Sequence, residues 1–387
     1  SEMAIADLRA MEAKPLRELT GIPTPENAAV MLSTPADDGT VALGFSQNTY
    51  GGRLRTTTDA PGDLLLLGAS FDDARWITLG DALREVTTVT LSPDGSHAAL
   101  TMGGGNTVAY GIASTADGTA VAVSGNLPRP DFPSVAWVRD GTTIAYAGGN
   151  TVQVLEARAD AEPMTVLEAG QRITSLRTTP DPDVVVATVR ADHVSDADPA
   201  STDVDAVYAV NVATGETHEF PGMELGNIIT WNTSTNALLM YDYAGMGPGT
   251  VTIRVYDPVS GALVEEIPDV PNPNDSSSMA VGKNSITTSA DGGTMVYTIG
   301  TQEIWLVRTE NGAPVVERIA PPSAAQGAAT VALSPDGTLL SLTSRRDESR
   351  TRWLLDLTDP TAEWLAIPNE VVGSDPGTIL FAEGLGD

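Results

Sequence analysis

Short apolar stretches that alternate with polar residues recur along the chain, and a tight turn separates each pair of stretches. Around the turn Ser92-Pro93-Asp94-Gly95, Val89 and Leu91 come before it, and Leu100 and Met102 come after it. Two further alternating runs precede the next turn. An alternation with a period of two is typical of β-strands that bury one face. The pattern therefore predicts four short strands in each repeat.

The turn that joins the first two strands has a clear chemical basis. Proline presets the backbone angle of the first corner residue, aspartate bonds its own backbone, and glycine accepts the left-handed conformation. The copies are centred on Asp38, Asp94, Asp140, Asp181, Ser234, Asp291 and Asp336. Their mean spacing is about 50 residues, a repeat length found in propeller blades.

This repeat predicts the fold class. One four-stranded sheet cannot bury both of its faces, so neighbouring sheets must stack, and stacking in a ring leaves only short edges. We therefore predict an all-β protein, a seven-bladed β-propeller of four-stranded antiparallel blades, with eight blades as the alternative. Residues 1–26 are expected to form an N-terminal arm or short helix and residues 27–368 the propeller. Residues 369–387 are expected to hold a strand that closes the ring, and a tail.

Two copies of the repeat are sharp enough to indicate a family. The runs Leu91 to Ser96 and Leu333 to Thr338 both read Leu-Ser-Pro-Asp-Gly-(Ser/Thr). They resemble the WD40-like repeat of bacterial propellers of the TolB type and of the propeller domains of prolyl-oligopeptidase-type peptidases. The Gly-x-Ser-x-Gly elbow of the peptidases is absent, and residues 1–26 are too few for the additional domain of TolB. The resemblance implies a scaffold that mediates protein contacts or gates access.

Charge and composition exclude several classes of function. The chain has 51 acidic and 21 basic residues, a formal net charge of −30, and only Lys14 and Lys283 are lysines. Such a surface repels phosphates, so nucleic acid is not expected as a partner. The chain has no cysteine, which removes disulfides and Cys-ligated metals. No apolar run approaches the length of a transmembrane segment.

Arginines in two loops suggest a binding surface. If the ring closes, the loops after the second strand of the first and last repeats are neighbours, and guanidinium groups there could bind carboxylates or phosphates. The alternative is that these arginines only form exposed ion pairs with local acids. A glycine-rich loop at residues 242–249 offers a further adaptable contact. The predicted partner-binding residues are Tyr50, Arg53, Arg55, Arg345, Arg346, Arg350 and Tyr243.

An acidic loop in the fourth repeat is a candidate metal site. Its alternating aspartates are hard oxygen ligands that calcium prefers, although the EF-hand pattern is absent. A solvated loop without metal is the alternative. The candidate ligands are Asp192, Asp196, Asp198, Asp203 and Asp205.

These observations predict a non-catalytic binding or protein–protein interaction module. His97, His193 and His218 lie in different repeats and do not have metal-ligand spacing, so no catalytic residue is assigned. The alternatives are an enzyme of lactonase, lyase or glycosidase type with its site at the central channel, and a sensor or accessory domain of a larger protein. The family resemblance and the missing initiator methionine predict an extracytoplasmic location, whether secreted, periplasmic or attached to the cell envelope.

Overall fold

The structure is a computed structural model that describes part of the 387 residues. The described ranges are 4–7, 12–15, 29–33, 36–46, 62–68, 74–83, 85–103, 106–130, 135–179, 181–190, 206–220, 226–232, 237–242, 249–257, 262–272, 286–289, 293–299, 303–310, 313–325, 328–334, 336–346 and 349–367. Within these ranges the regular structure is β-strand apart from one 3-10 turn at Arg139–Gly141. No helix in them is long and apolar enough to cross a membrane.

The strands form antiparallel sheets of consecutive segments, which we letter A to G. Sheet A holds β3 Ala29–Leu32, β4 Val41–Ser46, β5 Leu64–Leu67 and β6 Arg75–Ile77. Sheet B holds β7 Val86–Leu91, β8 His97–Met102, β9 Thr107–Ser114, β10 Ala120–Val123 and β11 Leu127–Pro128. Sheet C holds β12 Val135–Val138, β13 Thr143–Gly148, β14 Thr151–Glu156 and β15 Met164–Glu168. Sheet D holds β16 Arg172–Thr178, β17 Val184–Arg190, β18 Ala206–Asn211 and β19 Thr217–Glu219.

The remaining sheets follow the same strand order. Sheet E holds β20 Gly226–Asn232, β21 Ala237–Asp242, β22 Thr250–Tyr256 and β23 Leu263–Pro271. Sheet F holds β24 Ile286–Thr288, β25 Thr294–Ile299, β26 Glu303–Glu310 and β27 Ala313–Ile319. Sheet G holds β28 Ala328–Leu333, β29 Leu339–Arg346, β30 Ser349–Asp356 and β31 Leu365–Ile367. The first strand of each sheet, here called its inner strand, forms one edge.

The chain divides into two compact units, which are described separately. Unit 1 contains residues 15–225 and therefore sheets A to D, and unit 2 contains residues 226–383 and therefore sheets E to G. In each unit apolar side chains of one sheet pack on the next. One such core joins sheets C and D and includes Ala145, Val185 and Leu176. The four leucines of β5 are all buried, as expected for a strand whose two faces are both covered.

This architecture confirms the coarse prediction of an all-β propeller fold with four-stranded antiparallel blades. The predicted number of seven such blades, or eight, is wrong. Among the described residues six sheets have four strands, while sheet B has five. The number was predicted from a turn motif that indicates only the hairpin of the first two strands. The motif gives no information about the outer strands.

The fifth strand of sheet B has a local cause. Strands β10 and β11 both pair with β9. Between them the Ser124 hydroxyl accepts a hydrogen bond from the Tyr110 N–H at 2.8 Å, where a backbone carbonyl would continue the ladder. Pro128, in β11, has no N–H to donate. The outer edge of this sheet is therefore divided into two short strands.

The N-terminal region contains two short strands. Residues of the predicted arm or short helix form strands β1 Ala4–Asp7 and β2 Glu12–Pro15, which pair as a two-stranded sheet. The predicted closing strand in residues 369–387 lies outside the described residues.

Candidate functional site

Sheets B, C and D of unit 1 have two chemically different ends. We call the end that carries residues 92–96, 139–142, 179 and 181–183 the turn end. We call the opposite end, with residues 103, 106, 124–130, 149–150 and 169–172, the loop end.

At the turn end the polar groups bond one another. The Asp94 carboxylate accepts hydrogen bonds from the Ser92 hydroxyl at 2.6 Å and from the Ser96 N–H at 3.0 Å. The Ser92 hydroxyl oxygen in turn accepts the His97 N–H at 3.0 Å. Bonds to the charged form, above all from Ser92, lower the pKa of Asp94. Gly95 has a φ of 68°, as the turn chemistry predicts.

The turns also join one sheet to the next. The Asp37 N–H donates to the Pro93 carbonyl at 2.8 Å, and the Arg139 N–H donates to the Pro182 carbonyl at 2.7 Å. The Arg139 guanidinium lies 3.9 Å from carboxylate oxygens of both Glu156 and Asp183. Arg158 also contacts Glu156. Arg139 and Arg158 therefore both have carboxylate partners.

At the loop end the connections are made mainly by the backbone. The Gly149 N–H donates to the Pro128 carbonyl at 3.1 Å, and the Gly149 carbonyl accepts the Ile173 N–H at 2.9 Å. The Arg172 guanidinium donates to the Arg129 carbonyl at 2.6 Å. The Arg129 N–H donates to the Asn106 carbonyl at 3.0 Å. Arg129 is thus fixed at the junction of sheets B, C and D.

Arg129 is half-buried, and its charge acts on Tyr110, one of two stacked tyrosines. Its charge favours ionisation of Tyr110, against the larger effect of burial, which raises the pKa of Tyr110. The rings of Tyr110 and Tyr146 stack with centroids 4.6 Å apart. The Tyr110 hydroxyl donates to the Ala147 carbonyl at 2.9 Å, whereas the buried Tyr146 hydroxyl has no partner within the described ranges. Among the described residues the Arg129 guanidinium forms no ion pair.

A second unpaired arginine lies on the inner strand of sheet D. Arg177 is exposed to solvent, yet desolvation by the surrounding protein lowers the pKa of its guanidinium. On the same strand the Ser175 hydroxyl lies 2.6 Å from the Thr188 hydroxyl, which lies 2.8 Å from that of Thr174. The sheet has a bulge between Ile173 and Ser175, which brings these hydroxyls together.

The structure does not test the predicted sites. Tyr50, Arg53, Arg55, Tyr243 and the five aspartates of the acidic loop lie outside the described residues. The backbone register alone is described for the remaining arginines, with Arg345 opposite Arg350 and Arg346 opposite Ser349. In the described part of the chain, no three His, Asp or Glu side chains are grouped as metal ligands.

Arg129 and Arg177 were not identified by sequence reasoning. Nothing in the sequence marks either residue, because an arginine next to a loop or in a polar strand is ordinary. The hydroxyl cluster does have a sequence signal. A buried threonine stands seven residues after the central aspartate of the turn in four repeats, at Thr101, Thr188, Thr298 and Thr343.

Comparison with known proteins leaves the family open. No protein-family description and no curated protein sequence matches the chain. Among solved structures, hydrazine synthase of Kuenenia stuttgartiensis is similar with a TM-score of 0.49 and 12% identity, over 86% of this chain and 97% of that one. A chain of a mitotic checkpoint complex is similar with a TM-score of 0.48 and 14% identity, over 83% of this chain and 89% of that one. The resemblance to TolB-type propellers is not supported by these comparisons.

Proposed function

We propose that this protein is a non-catalytic binding module that uses the loop end of its propeller scaffold to hold a partner carrying carboxylate or phosphate groups. We also propose an extracytoplasmic location, on the basis of the sequence resemblance. The partner is a protein or a smaller anionic ligand.

The observation that supports this proposal is the unpaired guanidinium of Arg129. The chain has a net charge of −30, so carboxylates are abundant, and the turn-end arginines contact them. Arg129 is held by its backbone N–H and carbonyl at the junction of three sheets. A guanidinium without an internal partner is well suited to bidentate recognition of an oxyanion. Because the backbone of Arg129 is already held, only its side chain has to be ordered when a partner binds.

Peptide binding tests this proposal directly. Fluorescently labelled peptides of matched length that are rich in Glu, phosphoserine, Ser or Lys are titrated with the wild-type protein, and fluorescence anisotropy is measured. We expect the Glu or phosphoserine peptide to bind, and Arg129→Gln to weaken that binding on the order of tenfold, because one charge-assisted contact is lost.

The matched control is Arg158→Gln, which removes an equal charge from the turn end. It is expected to bind like the wild type. Equal losses in both variants would indicate a general charge effect and contradict the proposal. Binding of none of the peptides, or preferential binding of the Lys peptide, would also contradict it.

The two predicted sites outside the described side chains remain proposals. Substitution of Arg53, Arg55, Arg345 and Arg346 by Ser is expected to weaken the same peptide binding if those arginines contribute to the surface. Calcium binding by the acidic loop at residues 192–205 is expected to raise the melting temperature, since a ligand of the native state stabilises it by mass action. Identical melting curves with calcium and with chelator would exclude that site.

A further inference from the structure

The inner strand of sheet D presents a cation on the side that faces away from sheet C. Leu176 is buried in the core between sheets C and D. Successive residues of a strand point to opposite faces, so Arg177 lies on the other face. Its directly paired neighbour on that face is Val186, which is fully buried. Arg177 itself is exposed, so solvent and small solutes can reach it.

The charge of Arg177 has no partner among the residues that the structure describes. Its guanidinium forms no ion pair or hydrogen bond within the described residues. Other described arginines contact a carboxylate or a carbonyl, namely Arg75, Arg139, Arg158, Arg172, Arg254, Arg308 and Arg318. In a chain with 30 excess acidic residues, Arg177 is therefore an exposed guanidinium that is free to bind an oxyanion from outside the protein.

Hydroxyl groups lie on the same side of the strand. Ser175 is two residues before Arg177 and therefore shares its face, and Ser175 pairs with Thr188 across the sheet. Thr174 donates to the Thr188 carbonyl at 3.3 Å, so its hydrogen is used internally. With Thr188 as the donor in its contact with the Ser175 hydroxyl, that contact uses no hydrogen of Ser175. The half-buried Ser175 hydroxyl, with Thr188 as its only hydroxyl neighbour at 2.6 Å in the described ranges, remains able to donate to a ligand.

We propose that Arg177 and Ser175 form a binding site for a small oxyanion on the inner strand of sheet D. The guanidinium supplies the charge and a planar pair of donors, and the hydroxyl supplies a third donor. Phosphate, sulfate and carboxylate all satisfy this chemistry. The site is separate from the loop end and does not depend on the function proposed for Arg129.

Isothermal titration calorimetry with sodium phosphate, sodium sulfate and sodium acetate tests this site. Each titration is carried out at constant ionic strength, with chloride as the background anion. We expect wild-type protein to bind at least one of these oxyanions, and the three arms identify which. Arg177→Gln is expected to reduce the affinity on the order of tenfold or more, and Ser175→Ala severalfold. Arg158→Gln is the matched control and should bind like the wild type.

Several outcomes would overturn the proposal. They are the absence of oxyanion binding by the wild-type protein, unchanged binding by Arg177→Gln, and equal losses in Arg177→Gln and Arg158→Gln. Circular dichroism establishes that each variant is folded. If Arg177→Gln does not fold, Arg177→Lys retains the charge but loses the planar donor pair, and its binding should still be weaker than that of the wild type. If Arg177→Gln weakens oxyanion binding and Arg129→Gln does not, this site is distinct from the function proposed above.

Discussion

The turn end and the loop end of sheets B to D are built from the same strands but treat their polar groups differently. At the turn end Asp94, Ser92 and Ser96 bond one another, and Arg139 contacts two carboxylates. At the loop end Arg129 has no carboxylate, and the buried Tyr146 hydroxyl has no partner in the described part of the chain. These groups of the turn end are satisfied by one another, whereas those of the loop end retain unused capacity for hydrogen bonding and charge.

This difference separates stability from binding. A polar group that is satisfied inside the protein contributes to a unique structure, and a group that is left unsatisfied costs free energy unless a ligand or water completes it. We therefore expect substitutions at the turn end to affect mainly the free energy of unfolding. Removal of unpaired groups at the loop end should have little effect on that quantity, or a favourable one.

The largest effect is expected at Gly141, in a turn that packs on its neighbour. Its φ is 81°, and a Cβ there would lie 2.6 Å from Cδ of Pro93. Gly141→Ala should destabilise the protein by about 3 kcal/mol, from the left-handed backbone and the overlap together. Urea denaturation followed by circular dichroism measures it.

Gly215→Ala is the matched control for this prediction. Gly215 has a similar φ of 75°, but its nearest contact would be at 3.6 Å. Gly215→Ala should reduce the free energy of unfolding by only about 1 kcal/mol, which is the cost of the left-handed backbone conformation alone. Equal losses in the two variants would mean that contact between the turns of sheets B and C contributes nothing.

A pair of equivalent threonines gives the next largest effect. Thr188 belongs to the hydroxyl cluster of sheet D, whereas the Thr101 hydroxyl at the same repeat position in sheet B is buried without a partner in the described ranges. Thr188→Val should destabilise by about 1 to 2 kcal/mol, and Thr101→Val should be neutral or stabilising. The same denaturation experiment compares them, and a loss at Thr101 as large as that at Thr188 would show that its hydroxyl is satisfied.

The stacked tyrosines at the loop end also compare a hydroxyl that has a hydrogen-bond partner with one that has none among the described residues. Tyr110→Phe removes the donor to the Ala147 carbonyl and should cost about 1 kcal/mol. Tyr146→Phe removes a buried hydroxyl that has no described partner, and it should leave the stability unchanged or raise it. Thermal unfolding of both variants provides the measurement. Destabilisation by Tyr146→Phe would point to a bound water or ligand at that hydroxyl.

The smallest effect concerns how the free energy of unfolding depends on pH below neutral. The pKa of Asp94 is lowered in the folded state, chiefly by the Ser92 hydroxyl. Its stabilising effect is therefore present above the ordinary pKa of an aspartate and is lost as the pH falls through the folded value. Asp94→Asn should reduce stability at neutral pH by less than about 1 kcal/mol, because the carboxylate is largely exposed.

The difference between wild type and Asp94→Asn should disappear in acid. Urea denaturation at several pH values measures it. A difference that stays constant from neutral pH to strongly acidic pH would contradict the assigned charge effect and indicate that only the geometry of the turn matters.

Local features of the fold could be predicted because they depend on neighbouring residues. The Ser-Pro-Asp-Gly turn at residues 92–95 forms the predicted hydrogen bonds, and Gly95 and Gly337 adopt positive φ. The number of four-stranded blades could not be predicted in this way, since Ser124 and Pro128 alter the outer edge of sheet B beyond any turn. The candidate site was missed for a similar reason, because the sequence contains no mark of an unpaired arginine.

The sequence by itself determined the strands, the turns between them and the excess of negative charge, since each follows from residue types a few positions apart. Only the tertiary structure decided which polar groups find partners. Arg139 meets Asp183, and the Trp137 indole N–H donates to the Thr90 carbonyl at 3.0 Å, so that each pair joins neighbouring sheets through residues far apart in the sequence. Arg129 and Arg177 meet no carboxylate, because pairing depends on where neighbouring sheets place their side chains, and alternation along a strand does not specify that.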